Sequence, residues 1–243
     1  MRPCSRKALR SLSASLVALL VLAGTPAHAE DQDAPVVQVG TYDYLIQPDF
    51  TGLAAVGDIA RGQTLGIGTF ADLDGELVMV GGSVYQIRPD GVPRAADLAT
   101  RTPFMQAIRF RPRVNVAIPP GTPCAAMTAL IMNAAEKSNG IVAVRLRGTF
   151  AQLSTRSINA DPPPFQPLAQ TVAEQTVFNL DGRRAVLVGF WQGRDALGVG
   201  QDGLHLHGLT ADRRAGGHVL SCVAGSDVQL SVQPVSRIEL LTP

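Results

Sequence analysis

Between Pro35 and Gln47 the positions Val36, Val37, Val39, Tyr42, Tyr44 and Ile46 come at the short spacing of an extended chain and predict a strand. Three β-type runs follow, Leu65 to Phe70, Glu76 to Val80 and Ser83 to Ile87, parted by Asp74-Gly75 and Gly81-Gly82. Such pairs suit tight hairpin turns because glycine adopts positive φ without strain. Phe104 to Phe110 and Val114 to Ile118 are two further strand candidates. The period then changes. Thr122 can cap a helix with Pro123 at its first position, Met127, Leu130, Ile131 and Ala134 share one face, and Gly140 closes the element. From Ile141 to Leu153 the alternation returns, with Val142, Val144 and Leu146 on one face and Ala143, Arg145 and Arg147 on the other. Arg156 follows at the end of this stretch.

Asp161-Pro-Pro-Pro164 can continue neither strand nor helix, so a linker or crossover is expected over residues 159–167. Beyond it, Thr176 to Leu180, Ala185 to Trp191, Gly203 to Leu209, His218 to Val223 and Val228 to Val232 read as a second set of strands. These elements predict an α+β, β-rich, two-lobed fold with mixed or antiparallel sheets and few helices. The expected division gives an N-terminal lobe over 30–160, with one central helix, and a C-terminal lobe over 161–243.

Residues 1–29 stand apart from this pattern. Arg2, Arg6, Lys7 and Arg10 precede an apolar run from Leu12 to Ala23 that is too short to span a bilayer, and Ala27-His28-Ala29 is a small-residue cleavage pattern. A secretory signal is expected, with the mature chain beginning near Glu30, exported to a periplasm or the medium and free of the membrane. Cleavage removes four basic and no acidic side chains and turns the formal charge from +1 to −3. That charge argues against nucleic-acid binding. Cys4 leaves with the signal. Cys124 and Cys222 remain, and in an oxidising compartment they can form one disulfide or stay as two buried small apolar side chains.

The histidines carry the chemistry. Of four in the sequence, His28 lies in the signal and the other three fall between positions 205 and 218. In Leu204-His205-Leu206-His207 the period of two puts both imidazoles on one face and both leucines on the other. Thr210 to Gly217 reads as a turn that returns the chain to His218, so a hairpin can bring the third imidazole beside the first two. Three histidines with an open position is the pattern of catalytic zinc, although an all-imidazole site also suits copper, nickel, cobalt or iron.

Gly203-Leu-His-Leu-His-Gly-Leu-Thr-Ala-Asp-Arg-Arg-Ala-Gly-Gly-His-Val-Leu220 resembles the H-x-H and D-R-R-A-G-G-H-V-L blocks of the α-acetolactate decarboxylases. Gly66-Ile-Gly-Thr-Phe70 and Leu73-Asp-Gly-Glu-Leu77 are similar to that family's earlier blocks, and Thr102-Pro-Phe104, Gly148-Thr-Phe150 and Thr155-Arg-Ser157 fall in the same order. The resemblance implies decarboxylation of 2-hydroxy-2-methyl-3-oxobutanoate to acetoin, with one zinc ion held by His205, His207 and His218. A β-keto acid loses CO2 only if the electrons left behind find a sink, and a metal chelated by the neighbouring carbonyl and hydroxyl oxygens can be that sink. By the same resemblance, Arg156 orients the substrate carboxylate, Glu76 handles a proton near the metal, and Thr69 contributes a hydroxyl to the substrate pocket.

One departure is expected to matter. Family members carry a charged tail with a further active-site glutamate, whereas Leu240-Leu-Thr-Pro243 stands where that tail would begin, and Glu239 does not match its position. The alternative reading is therefore a non-catalytic exported homologue that binds metal or a small ligand. A zinc hydrolase is a third reading, since the ligand set alone does not separate water activation from substrate chelation. The expected partner is a small 2-hydroxy-3-oxo acid, and strand edges together with the family likeness suggest a homodimer.

Overall fold

The computed structural model describes residues 34–136 and 139–242. The expected secretory signal over residues 1–29 and its expected cleavage site lie outside the described residues. In chain order the strands are β1 (Val36–Val39), β2 (Ala54–Ala55), β3 (Leu65–Thr69), β4 (Glu76–Val80), β5 (Ser83–Ile87), β6 (Pro93–Ala95), β7 (Arg101–Thr102), β8 (Met105–Ile108) and β9 (Val114–Ala117). They continue with β10 (Ile141–Ser157), β11 (Thr176–Asn179), β12 (Arg184–Gln192), β13 (Gly203–Thr210), β14 (Gly216–Ala224), β15 (Gln229–Val235) and β16 (Ile238–Leu241). Among the described residues four short α-helices interrupt them: α1 (Tyr42–Leu45), α2 (Val56–Ala60), α3 (Cys124–Ala134) and α4 (Leu168–Ala173). No helix among the described residues is long and apolar enough to cross a membrane.

The strands form two large sheets, and the predicted α+β, strand-rich class holds. The first runs β16-β1-β8-β3-β4-β5-β6, antiparallel throughout except for the parallel pair β1–β16. The second is built on β10. Residues Ile141 to Thr149 pair with β12, Ile141 to Arg147 pair with β15 on the other side, and Phe150 to Arg156 pair with β14. Because β12, β13 and β14 are themselves consecutive neighbours, the sheet closes on itself as a small barrel. Gly148 sits where β10 changes partners, and a Cβ there would stand 2.5 Å from Val228 Cα. Only glycine admits that approach.

The division between sheets differs from the expected one at residue 160. β9 (Val114–Ala117) and β10 (Ile141–Ser157) belong to the second sheet, with β10 as its central strand, and the last strand, β16, returns to the first. Alternation along β10 is identical whichever sheet it joins, so local pattern carries no information about its partner. Four local expectations also change. The strand from Pro35 ends at Val39, after which Gly40 turns at φ +64° and Thr41 caps α1 by accepting from the Tyr44 N–H. Thr122 does not cap α3, because its hydroxyl donates to Pro119 O, and Pro123 occupies the cap position without a side-chain bond. The helix ends at Ala134, well before Gly140. Arg156 lies within β10 rather than after it.

Two apolar layers hold the sheets. Val142, Val144 and Leu146 of β10 fill the barrel with Leu187, Leu206 and Leu230, closed off by Met127 and Ile131 of α3. The opposite face of β10 and β12, with Ile141, Ala143, Val188 and Phe190, packs on Leu65, Ile67, Val78 and Ile108 of the first sheet. Cys124 and Cys222 form a disulfide that fastens α3 to β14, with Cα atoms 5.1 Å apart across 98 residues of sequence. Closing a loop of that length restricts the unfolded chain by about 4–5 kcal/mol in the chain-entropy model. Reduction, or Cys124→Ser, is expected to lower the unfolding free energy by about 2–5 kcal/mol. Urea unfolding with and without reductant measures this, and coincident curves would refute it.

Candidate metal centre and substrate cavity

Cross-strand register assembles the site. His207 of β13 stands opposite His218 of β14, and His218 stands opposite Arg156 of β10, so three functional side chains form one row across three strands. His205 joins the row by the period of two, while Leu206 faces into the barrel as the alternation requires. The register of β10 against β14 shifts between Ser154 and Thr155, an irregularity of the kind that re-aims side chains beside active sites. From the first sheet, Thr69 and Glu76 face each other across the β3–β4 hairpin.

Gly217 makes the row possible. It adopts φ +132°, and a Cβ there would lie 2.3 Å from Arg156 O. The glycine before His218 thus lets β14 press its backbone against the strand that carries Arg156.

The three imidazoles converge. His205 Nε2 lies 3.2 Å from both His207 Nε2 and His218 Nδ1, and the last two are 3.3 Å apart. Zinc–nitrogen bonds of about 2.0–2.1 Å in a tetrahedral arrangement set neighbouring ligand nitrogens about 3.3–3.4 Å apart, so the triangle fits a single cation. His207 Nδ1–H donates to Leu77 O at 2.8 Å, which fixes its tautomer and leaves Nε2 as a lone pair toward the other rings. His205 Nδ1 is buried without a hydrogen-bond partner. Burial, reinforced by the nearby Arg156 charge, pushes His205 down to about 3. Burial also holds His207 and His218 well below the ordinary histidine range, with the neighbouring rings and Arg156 acting in the same direction. All three are therefore neutral at physiological pH, the form that binds metal.

Glu76 completes the polar floor. It is only 3% exposed, its Oε1 accepts from Arg156 Nη1, and its Oε2 lies 3.5 Å from His207 Nε2. Burial pushes its carboxyl up to about 7, although the Arg156 guanidinium pulls the other way through charge and hydrogen bonding. Thr69 lines the same cavity, but its hydroxyl donates to Gly75 O at 2.8 Å, leaving only its acceptor lone pairs for another group. The structure thus brings together all six residues expected from the sequence, His205, His207, His218, Glu76, Arg156 and Thr69.

Above this floor is a cavity of about 290 Å3, walled by Leu45, Leu73, Phe104, Ile158, Leu168, Val172 and Leu220. A polar floor under apolar walls suits a small ligand with charged and methyl-bearing ends. Tyr42, Gln175 and Gln201 also line it and were not anticipated. Tyr42 lies in a segment with a strand's hydrophobic spacing, and Gln175 follows α4, next to the proline-rich crossover. The one signal for Gln175 is structural, a buried Oε1 without a hydrogen-bond partner.

A buried triangle of neutral imidazoles beside an arginine–glutamate pair, at the floor of a small cavity between two β-sheets, is an arrangement that could hold a metal ion next to a small ligand. The comparisons make this specific. The family model for alpha-acetolactate decarboxylase matches residues 36–243. The chain is 32% identical to the alpha-acetolactate decarboxylase of Bacillus licheniformis over 76% of its length and 73% of the relative's. It is 30% identical to that of Klebsiella aerogenes, over 79% and 74%. The crystal structure of alpha-acetolactate decarboxylase from Bacillus subtilis strain 168 superposes with a TM-score of 0.81 at 29% identity, covering 86% of this chain and 89% of that one. The chain belongs to the α-acetolactate decarboxylase family, and its activity is that of a carboxy-lyase.

Gly217→Ala is expected to cost about 1–3 kcal/mol through backbone strain and to displace His218 from the row. Thermal unfolding and bound-metal content read the two effects, and a variant equal to wild type in both would overturn the packing argument.

Proposed function

We propose that this chain decarboxylates 2-acetolactate to acetoin and CO2 with a divalent cation, zinc foremost, held by His205 Nε2, His207 Nε2 and His218 Nδ1. The observation that carries the reading is the triangle of neutral ring nitrogens with sides of 3.2–3.3 Å, set in the cavity floor. A cation there supplies Lewis acidity toward the substrate's ketone and hydroxyl oxygens.

The chain's own residues do the rest. Arg156, 12% exposed at its side chain and aimed into the cavity, offers the N–H groups not engaged by Glu76 to the substrate carboxylate. That contact sets the scissile C–C bond relative to the ketone. As CO2 leaves, its bonding electron pair passes into the neighbouring carbonyl, and the product carbon then takes a proton. Glu76 is suited to deliver it, because a carboxyl pushed up to about 7 is protonated in a large fraction of molecules near neutrality. The apolar walls exclude water from the reacting carbon. Thr69 serves as a wall residue with an acceptor oxygen.

Metal-loaded mature protein is expected to release CO2 and form acetoin, and a chelator should abolish both. Arg156→Ala should lower turnover by about 100-fold or more while metal content stays at one ion per chain. Zinc binding without CO2 release would favour the binding-module reading, and unchanged turnover in Arg156→Ala would defeat the role given to that residue.

We further propose export. The basic start and apolar run of residues 1–29 support it, as does the Cys124–Cys222 disulfide, a bond that persists in oxidising compartments. N-terminal sequencing of protein from the exported fraction should begin near Glu30; retention of the leader in the cytosol would reject the proposal.

A further inference from the structure

A second concave site lies at the opposite end of β4 from the metal centre. Glu76 and Val80 are the two ends of that strand, about 13 Å apart at an extended rise of about 3.3 Å per residue. Beside Val80 is a cavity of about 230 Å3 that shares no lining residue with the substrate cavity. Arg145 and Arg147 project into it from β10, Arg184 from β12, and Arg213 from the β13–β14 turn. None of its lining residues is acidic.

Few of these charges are neutralised. Arg184 is paired with Asp227 near the surface. Arg145 has its guanidinium 5.2 Å from the Phe110 ring centre and one long bond of 3.4 Å to Ser231 Oγ. Burial and the neighbouring Arg147 charge both lower the affinity of Arg145 for its proton. Arg213 stacks 5.1 Å from the Tyr85 ring centre, and its Nη1 is buried without a hydrogen-bond partner. Like charges gathered in a recess repel one another, and a buried N–H without an acceptor is destabilising, more so when charged. Two of the four guanidinium planes are also held in place by aromatic rings, so their N–H edges are oriented before any ligand arrives.

We propose that this recess is a binding site for a small, multiply charged phosphoryl anion. Four guanidinium groups from three separate elements approach one volume from different directions. A carboxylate is flat and is satisfied by a single fork, whereas tetrahedral phosphoryl oxygens accept from several directions at once. The anion would relieve the repulsion among the guanidinium groups that line the recess. A free phosphoryl compound and a phospholipid headgroup present the same chemistry.

Calorimetric titration of the full mature chain with sodium pyrophosphate at low ionic strength tests the site. Saturable binding of one anion per chain is expected, weakened about tenfold or more in Arg213→Gln and again in Arg147→Gln. Arg147 is exposed, so its variant keeps the test valid if Arg213→Gln fails to fold. Both variants should retain decarboxylation at the wild-type rate, since neither residue reaches the metal centre. Co-sedimentation with phosphatidate vesicles, but not phosphatidylcholine vesicles, lost in the variants, would assign the anion to a lipid headgroup. Pyrophosphate binding without vesicle binding would assign it to a soluble compound. No saturable heat at millimolar pyrophosphate, or variants that bind as wild type, would overturn the proposal.

Discussion

Three imidazole nitrogens that face one another in a dry environment are the constraint on which the site depends. His205, His207 and His218 are held by strand register, and burial keeps them uncharged. Their arrangement repels itself and attracts a cation. The fold supplies the rigidity that keeps it so. β13 is flanked by β12 and β14 in a closed sheet, and the His207 ring is pinned from the other sheet by Leu77 O. Neither sheet alone makes the site, because the imidazoles stand on one and the Glu76 carboxylate on the other.

Arg156 and Glu76 set the electrostatics. The guanidinium reinforces the burial that keeps the imidazoles neutral and holds Glu76 in place, yet it does not overcome the burial that raises the Glu76 carboxyl. Desolvation wins over attraction here, and this leaves an acid able to exchange a proton near neutrality beside the Arg156 guanidinium. A more exposed Glu76 would ionise fully and lose that capacity.

Much of this was legible in the sequence where periodicity is short. The alternation Leu204-His205-Leu206-His207 specifies two imidazoles on one face, and the glycine-rich turn before His218 makes a hairpin the natural return. Arg156 and Glu76 were legible only through family likeness, since a charged residue in a strand and one after an Asp-Gly turn have many ordinary explanations. The cavity's apolar walls were not legible. Leu45 lies in a segment whose strand-like spacing is overridden by the Gly40 turn and the Thr41 cap. Leu168 and Val172 follow prolines that suggest a linker, yet the crossover is ordered by Asp161, which accepts from Gln166 N and Thr171 Oγ1. The placement of β10 in the second sheet rests on pairings with β12, β14 and β15, which no local pattern encodes.

The parallel pairing of β1 with β16 has a bearing on how the chain acquires its shape. Val36 and Val39 are fully buried in a strand whose outer neighbour is the segment Ile238–Leu241, about two hundred residues later. During synthesis one border of the first sheet lacks its final partner until the segment Ile238–Leu241 has emerged. An unpaired border of that kind is a template for self-association, and long-range closure is slow. Delaying collapse until both segments are available keeps that border from forming before its partner exists.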